Sequence, residues 1–177
     1  MTERRVAVPV LLLLALTCAS IAFFVFYGPD FPPTMAVHFG AGVGGKANGF
    51  MDRVKFIVLG SFLSFMLPAF IAVVVGVLPR VVPWRTLNLP NKAYWAETPE
   101  RREHALKSLL WFGLWLACLV QAFLIGINVS LMQANQVDPP ALPMWGVVPL
   151  AVLFTVGTLG WAWGLIRAFT MPRVNLR

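Results

Sequence analysis

The sequence predicts an all-α integral membrane protein: a bundle of four transmembrane helices with both termini cytoplasmic. Three observations carry that prediction. First, the 177 residues are 59% hydrophobic and only 12% charged, against about a quarter charged in soluble domains. A soluble fold of this length could not hide so much apolar surface, so lipid must be the solvent for much of it. Second, the apolar residues fall into four runs long enough to span a bilayer, at about 6–27, 54–78, 109–132 and 144–169. Third, the basic residues are distributed unevenly between the runs. Eleven of the fourteen Lys and Arg lie at the N-terminus, in the loop after the second run, and in the C-terminal tail. The positive-inside rule then places those three segments in the cytoplasm and the first and third loops outside. The formal net charge of +7 follows from this topology and does not call for nucleic acid as a partner. One domain, 1–177, is expected.

Each element has its own justification. Val6 to Tyr27 follows Arg4 and Arg5, as a signal peptide would. Its apolar stretch of 22 residues exceeds the roughly 7–15 of a signal core, and no small-x-small cleavage site ends it. It reads as a retained helix, with Tyr27 at an interface. In the second run Gly60, Ser64, Pro68, Ala72 and Gly76 recur every four residues, a row that lets another backbone approach closely. Pro68 lacks an amide hydrogen and is a candidate kink. In the second loop Pro79, Pro83 and Pro90 exclude one continuous helix, and Thr98-Pro99-Glu100 reads as a helix start. Glu100 with His104, and Glu103 with Lys107, are then i,i+4 pairs, and the helix runs on into the third span. That span carries Gln121 and Asn128 on one face with Cys118. Interhelical hydrogen bonding is the expected role of the amides, and ligand binding is the alternative. The fourth run has Trp145 at one end, Trp161 and Trp163 toward the other, and a small face of Gly157, Gly160 and Gly164. Cys18 and Cys118 both lie in apolar runs, at similar depths of about 18 Å by helix rise, and no disulfide is expected.

The candidate ligand site is the polar, glycine-rich first loop, Phe31 to Lys55. It offers His38, Lys46, Asn48 and Gly49 as ligand-binding residues. Gly40 to Lys46 satisfies the first part of a phosphate-binding loop, yet Ala47 stands where a magnesium-binding hydroxyl is needed and no βαβ pattern surrounds it. The glycines could still offer backbone amides to an anion beside Lys46. His38 fixes the loop by hydrogen bonding, or alternatively senses pH, or joins Asp30 and Asp52 on a metal ion if the loop folds back. The expectation adopted is no metal and no cofactor. No ionisable residue sits in mid-span, which disfavours a small-solute or metal transporter. No paired carboxylates, metalloprotease signature or nucleophile elbow appears, which disfavours an enzyme.

Two stretches carry a resemblance. Pro33-Thr-Met-Ala-Val-His38-Phe, followed by Gly45-Lys-Ala-Asn-Gly49-Phe, resembles the outer loop of a bacterial membrane domain of unknown function, with its Pro-x-His-Phe-like segment and Asp/Asn-Gly-aromatic pair. Asn88-Leu-Pro-Asn-Lys-Ala-Tyr-Trp95, then Pro99-Glu-Arg-Arg102, resembles the loop after that domain's second helix. The same domain occurs in SdpI-type immunity and signalling proteins. The chain departs from the pattern in a longer spacing between Pro33 and His38 and in the added Gly42 to Gly45. The resemblance implies a multi-span protein of the bacterial cytoplasmic membrane. It also implies an outer site at His38, Asn48 and Gly49, and an inner docking segment at Asn88, Pro90, Asn91, Tyr94, Trp95, Glu100 and Arg101. The leading expectation is a non-enzymatic binding protein with an immunity or signalling role, recognising a peptide or other ligand outside. The alternative is an accessory subunit of a larger membrane complex. Helix packing is expected at Gly60, Ser64, Gln121, Asn128, Gly160 and Gly164. The partners are then the lipid bilayer, other membrane proteins or a homo-oligomer, with a peptide as the candidate ligand. Whether the inner segment docks a partner or merely covers the end of the bundle stays open.

Overall fold

The computed structural model describes residues 3–40 and 45–170. Helix α1 covers Glu3–Tyr27. Strands β1 (Thr34–Phe39) and β2 (Ala47–Asp52) follow, then α2 (Arg53–Ile71), the short α3 (Lys92–Ala96), α4 (Pro99–Ala134) and α5 (Met144–Ala168). Four of these helices, α1, α2, α4 and α5, are long and apolar enough to cross a bilayer, α2 through its continuation toward Arg80. The chain is a multi-pass membrane protein.

The first loop differs from the all-helical expectation, because it forms an antiparallel hairpin. Thr34 lies opposite Asp52, Met35 opposite Met51, and Ala36 opposite Phe50, with irregularities on either side of His38. Thr34, Val37, Phe39 and Phe50 favour extended backbone. The glycines that suggest flexibility in sequence lie near the turn and opposite His38.

Helix α4 is the axis of the bundle, and α1, α2 and α5 all pack on it. At 36 residues it is roughly 54 Å long, well beyond a hydrocarbon core of about 30 Å, so it must project from the membrane. Its start is built as the sequence predicts: Thr98 is extended, its Oγ1 accepts from Arg101 N at 3.2 Å, and Pro99 follows. By contrast α5 contains no buried residue.

Helix α2 passes through Pro68 and opens into wider π-type turns over Ala72–Val77. Proline contributes no amide to the helical ladder, and a wide turn re-aims the residues after it. Here Gly76 comes against α4. A Cβ added to Gly113 would lie 2.9 Å from the Gly76 nitrogen, and one added to Gly76 would lie 2.9 Å from Leu110 Cδ1. The row of small residues therefore faces protein: Ser64, Pro68 and Gly76 are buried, and Gly60 sits beneath the Phe24 ring.

Two aromatic clusters close the bundle's ends. Phe23, Phe24, Phe31, Met35 and Phe56 pack under the hairpin. Trp95, Ala105, Leu109 and Phe169 pack at the charged end. The two cysteines do not meet. Cys118 is buried and donates to Pro9 O at 3.3 Å, whereas Cys18 is exposed. Pro9 lies nine residues before Cys18, so α1 sits about 13 Å higher against α4 than equal depths would require.

Candidate functional site

The hairpin is fastened to the bundle at three points. At its base the Asp52 side chain caps α2, with Oδ1 accepting from Val54 N at 2.9 Å and Lys55 N at 3.2 Å. Beside it the Arg53 guanidinium donates to the carbonyls of Pro29 (2.9 Å) and Phe31 (3.1 Å). This ties the start of α2 to the chain leaving α1. Along β1, Asn135 at the end of α4 acts as a substitute strand. Its Oδ1 accepts from Ala36 N at 2.7 Å, and its Nδ2 donates to Ala36 O at 2.9 Å and to Leu131 O at 2.8 Å. Both donors and the acceptor of the amide are thus used. Toward the turn, Lys46 pairs with Ala141 of the next loop, and Ala141 N donates to Ala134 O at 3.2 Å. The hairpin therefore lies across the end of the bundle.

On this base the structure brings three of the four sequence-predicted ligand residues to the surface. His38, Lys46 and Asn48 are exposed, and His38 Nδ1 donates to Asn48 Oδ1 at 2.5 Å. Gly49 has a different part. A Cβ there would stand 2.7 Å from His38 Cβ, so glycine is what allows the imidazole to lie across β2 and reach Asn48. An imidazole, an amide and an ammonium on a fixed strand pair can hydrogen-bond a polar or anionic ligand or an extended peptide. The possible anion cradle at Gly40 to Lys46 falls mostly on 41–44, outside the described residues. Asp30, His38 and Asp52 do not converge on a metal site, because Asp52 is at the base of the hairpin opposite Thr34. Among the described residues no three of His, Cys, Asp and Glu come together.

The predicted docking segment lies at the opposite end and is only partly turned inward, with Trp95 buried and Tyr94 and Arg101 half-buried. Asn91 adopts the left-handed region, φ 54°, which Asn tolerates better than most residues. Its Nδ2 donates to Phe169 O at the end of α5 at 2.9 Å. Trp95 is buried against Phe169, and His104 stacks on it with ring planes 9° apart. Arg101 lies over Tyr94 at 4.1 Å and pairs with Glu97. Glu103 holds Lys107 at 3.5 Å and Arg80 at 3.7 Å. His104 thus turns to Trp95 and not to Glu100. Asn88, Pro90, Asn91 and Glu100 are exposed. Asn91 and Trp95 thus fasten the segment over the end of the bundle through Phe169, while its other residues leave an exposed face.

Within the spans, Asn128 Nδ2 donates to Ser64 Oγ at 3.2 Å. Gln121 is fully buried, and neither its Nε2 nor its Oε1 has a partner among the described residues. Gly164 lies in ordinary contact with Phe112, while Gly160 meets nothing within 4 Å. Sequence reasoning missed Asn135 and the Arg53 clamp. No local signal marked Asn135, because the peptide groups that it bonds belong to Ala36, 99 residues away. Compared with known protein families, curated proteins and solved structures, the chain matches none of them.

Proposed function

We propose that the chain is a non-enzymatic binding protein of the bacterial cytoplasmic membrane, with an SdpI-like immunity or signalling role, recognising a peptide or other polar ligand at an extracytoplasmic hairpin. The observation that carries this reading is the preorganised hairpin. Its backbone is bound to α4 through both peptide groups of Ala36, while His38, Lys46 and Asn48 remain exposed. A fixed scaffold with exposed polar groups loses little conformational entropy on binding. The test is a protection assay in the native host, with the gene deleted and restored. Cells lacking the protein should be sensitised to the host's own spent medium. His38→Ala and Asn48→Ala proteins should reach the membrane at normal levels yet restore less than a tenth of the protected survival. Equal survival with and without the gene would remove the protective role, and full rescue by both variants would remove the hairpin from it.

One observation favours a second reading, an accessory subunit of a larger complex. Helix α5 has no buried residue, and its Gly160 faces open space. Native mass spectrometry of the protein extracted in mild detergent separates the two. A large hetero-complex supports the subunit, and a monomer or small homo-oligomer supports the self-sufficient binder.

A further inference from the structure

Strand β2 has two edges, and among the described residues the ladder covers only one of them, the Lys46–Ala141 bridge lying at the turn before the strand. Arg53 N donates to Pro33 O at 3.0 Å, and Met51 lies opposite Met35. Bonding residues alternate along an antiparallel strand, so Met51 and Arg53 turn their peptide groups toward β1. Phe50 and Asp52 turn theirs away. On β1 the same alternation turns Ala36 outward, and there the chain covers the edge with Asn135. No side chain does this for Phe50 among the described residues. Phe50 is also 59% exposed, and it shares the exposed face of β2 with Asn48 and Asp52. An open edge bearing an exposed aromatic is a template for another strand.

The geometry points to this edge as the contact between two copies of the chain, paired antiparallel about Phe50. The edge complements itself. With Phe50 opposite Phe50, Asn48 falls opposite Asp52 in both directions, and Lys46 falls diagonal to Asp52. The free atoms match as well. Asn48 uses Oδ1 on His38, which leaves its Nδ2 donors. Asp52 uses Oδ1 on the α2 amides, which leaves Oδ2 to accept. The bilayer supplies the rest. The hairpin lies across the end of the bundle, so β2 runs along the membrane surface. A two-fold axis along the membrane normal then sets two β2 strands antiparallel at one height, an isologous contact. Strand pairing alone buries less than the roughly 1,000 Å² of a stable soluble interface. The dimer therefore forms in the membrane, where both copies share one orientation, and dissociates readily in detergent.

Disulfide cross-linking in native membranes tests this, in a Cys18→Ala background so that the exposed native thiol is absent. Opposed bonding residues lie about 5.5 Å apart between Cα atoms, within disulfide reach. Phe50→Cys should give a thiol-reversible dimer on mild oxidation. Asn48→Cys, whose two copies stand about 13 Å apart in this register, should give at least tenfold less. A monomeric Phe50→Cys protein, equal yields at both positions, or a Phe50→Cys adduct of another mass would each overturn the pairing. The last would assign the edge to a foreign strand.

Discussion

Asn135 stands one residue past α4, in a loop whose most obvious sequence property is its lack of Lys and Arg. Its amide nevertheless decides where the hairpin sits, because it bonds both peptide groups of Ala36, a fully buried residue. Replacing Asn135 by Ala leaves a buried donor and acceptor unmatched, at a cost of about 1–3 kcal/mol for each. The amide proton of Ala36 should then exchange ten- to a hundredfold faster, with α4 itself unaffected, as hydrogen exchange in detergent would show. Asn135→Asp should be no better, since a carboxylate would face the Ala36 and Leu131 carbonyls. Exchange at Ala36 unchanged from wild type would show that the strand is held in place without the Asn135 amide. His38 and Asn48 were legible as candidates because uncommon polar residues stood out in an apolar chain. Asn135 was not, because its importance lies in a partner 99 residues away, and no local pattern encodes that.

Helices were legible at the scale of the element because hydropathy, caps and prolines are local. The start of α4 at Thr98 and its unbroken passage into the third span follow from such signals. The hairpin was not, because its strands of six residues are short, interrupted by irregularities, and surrounded by glycines that read equally well as a flexible loop. The row ending at Gly76 announced a close helix contact but not its partner. That partner is Gly113, whose neighbours in sequence, Phe112 and Leu114, gave no hint of a notch. Backbone cannot move aside as a side-chain tip can, so Gly113→Leu should overpack the crossing and cost about 1–3 kcal/mol or more. It should lower the thermal midpoint in detergent by several degrees. Gly160→Leu is the matched control on the open face of α5 and should leave the midpoint within a degree. If the two variants melt alike, the Gly76–Gly113 contact is not what joins α2 to α4.

The whole molecule is a long central helix with shorter helices around it and a structured cover at each end. The covers differ in kind. At one end Trp95, Phe169 and the Asn91 amide close the bundle beneath a layer of Arg, Lys and Glu, in which Glu97 pairs with Arg101 and Glu103 with Arg80 and Lys107. At the other a hairpin presents exposed polar side chains, with His38 bonded to Asn48. The charge count predicts which cover faces which compartment, since a basic excess is retained in the cytoplasm and rests against anionic lipid. The proposed role depends on that orientation, because a sensor of external ligands needs its hairpin outside. Lys46→Cys and Glu100→Cys, both at exposed positions, report on it when each is placed in the Cys18→Ala background. Cys118 is buried beside Pro9 and should stay silent. In intact spheroplasts a membrane-impermeant maleimide should label Lys46→Cys fully and Glu100→Cys at less than a tenth of that level, with equal labelling after permeabilisation. The opposite pattern would turn the hairpin to the cytoplasm. The polar face of His38, Lys46 and Asn48 would then have to serve an internal partner, and the charge asymmetry would need a cause other than retention.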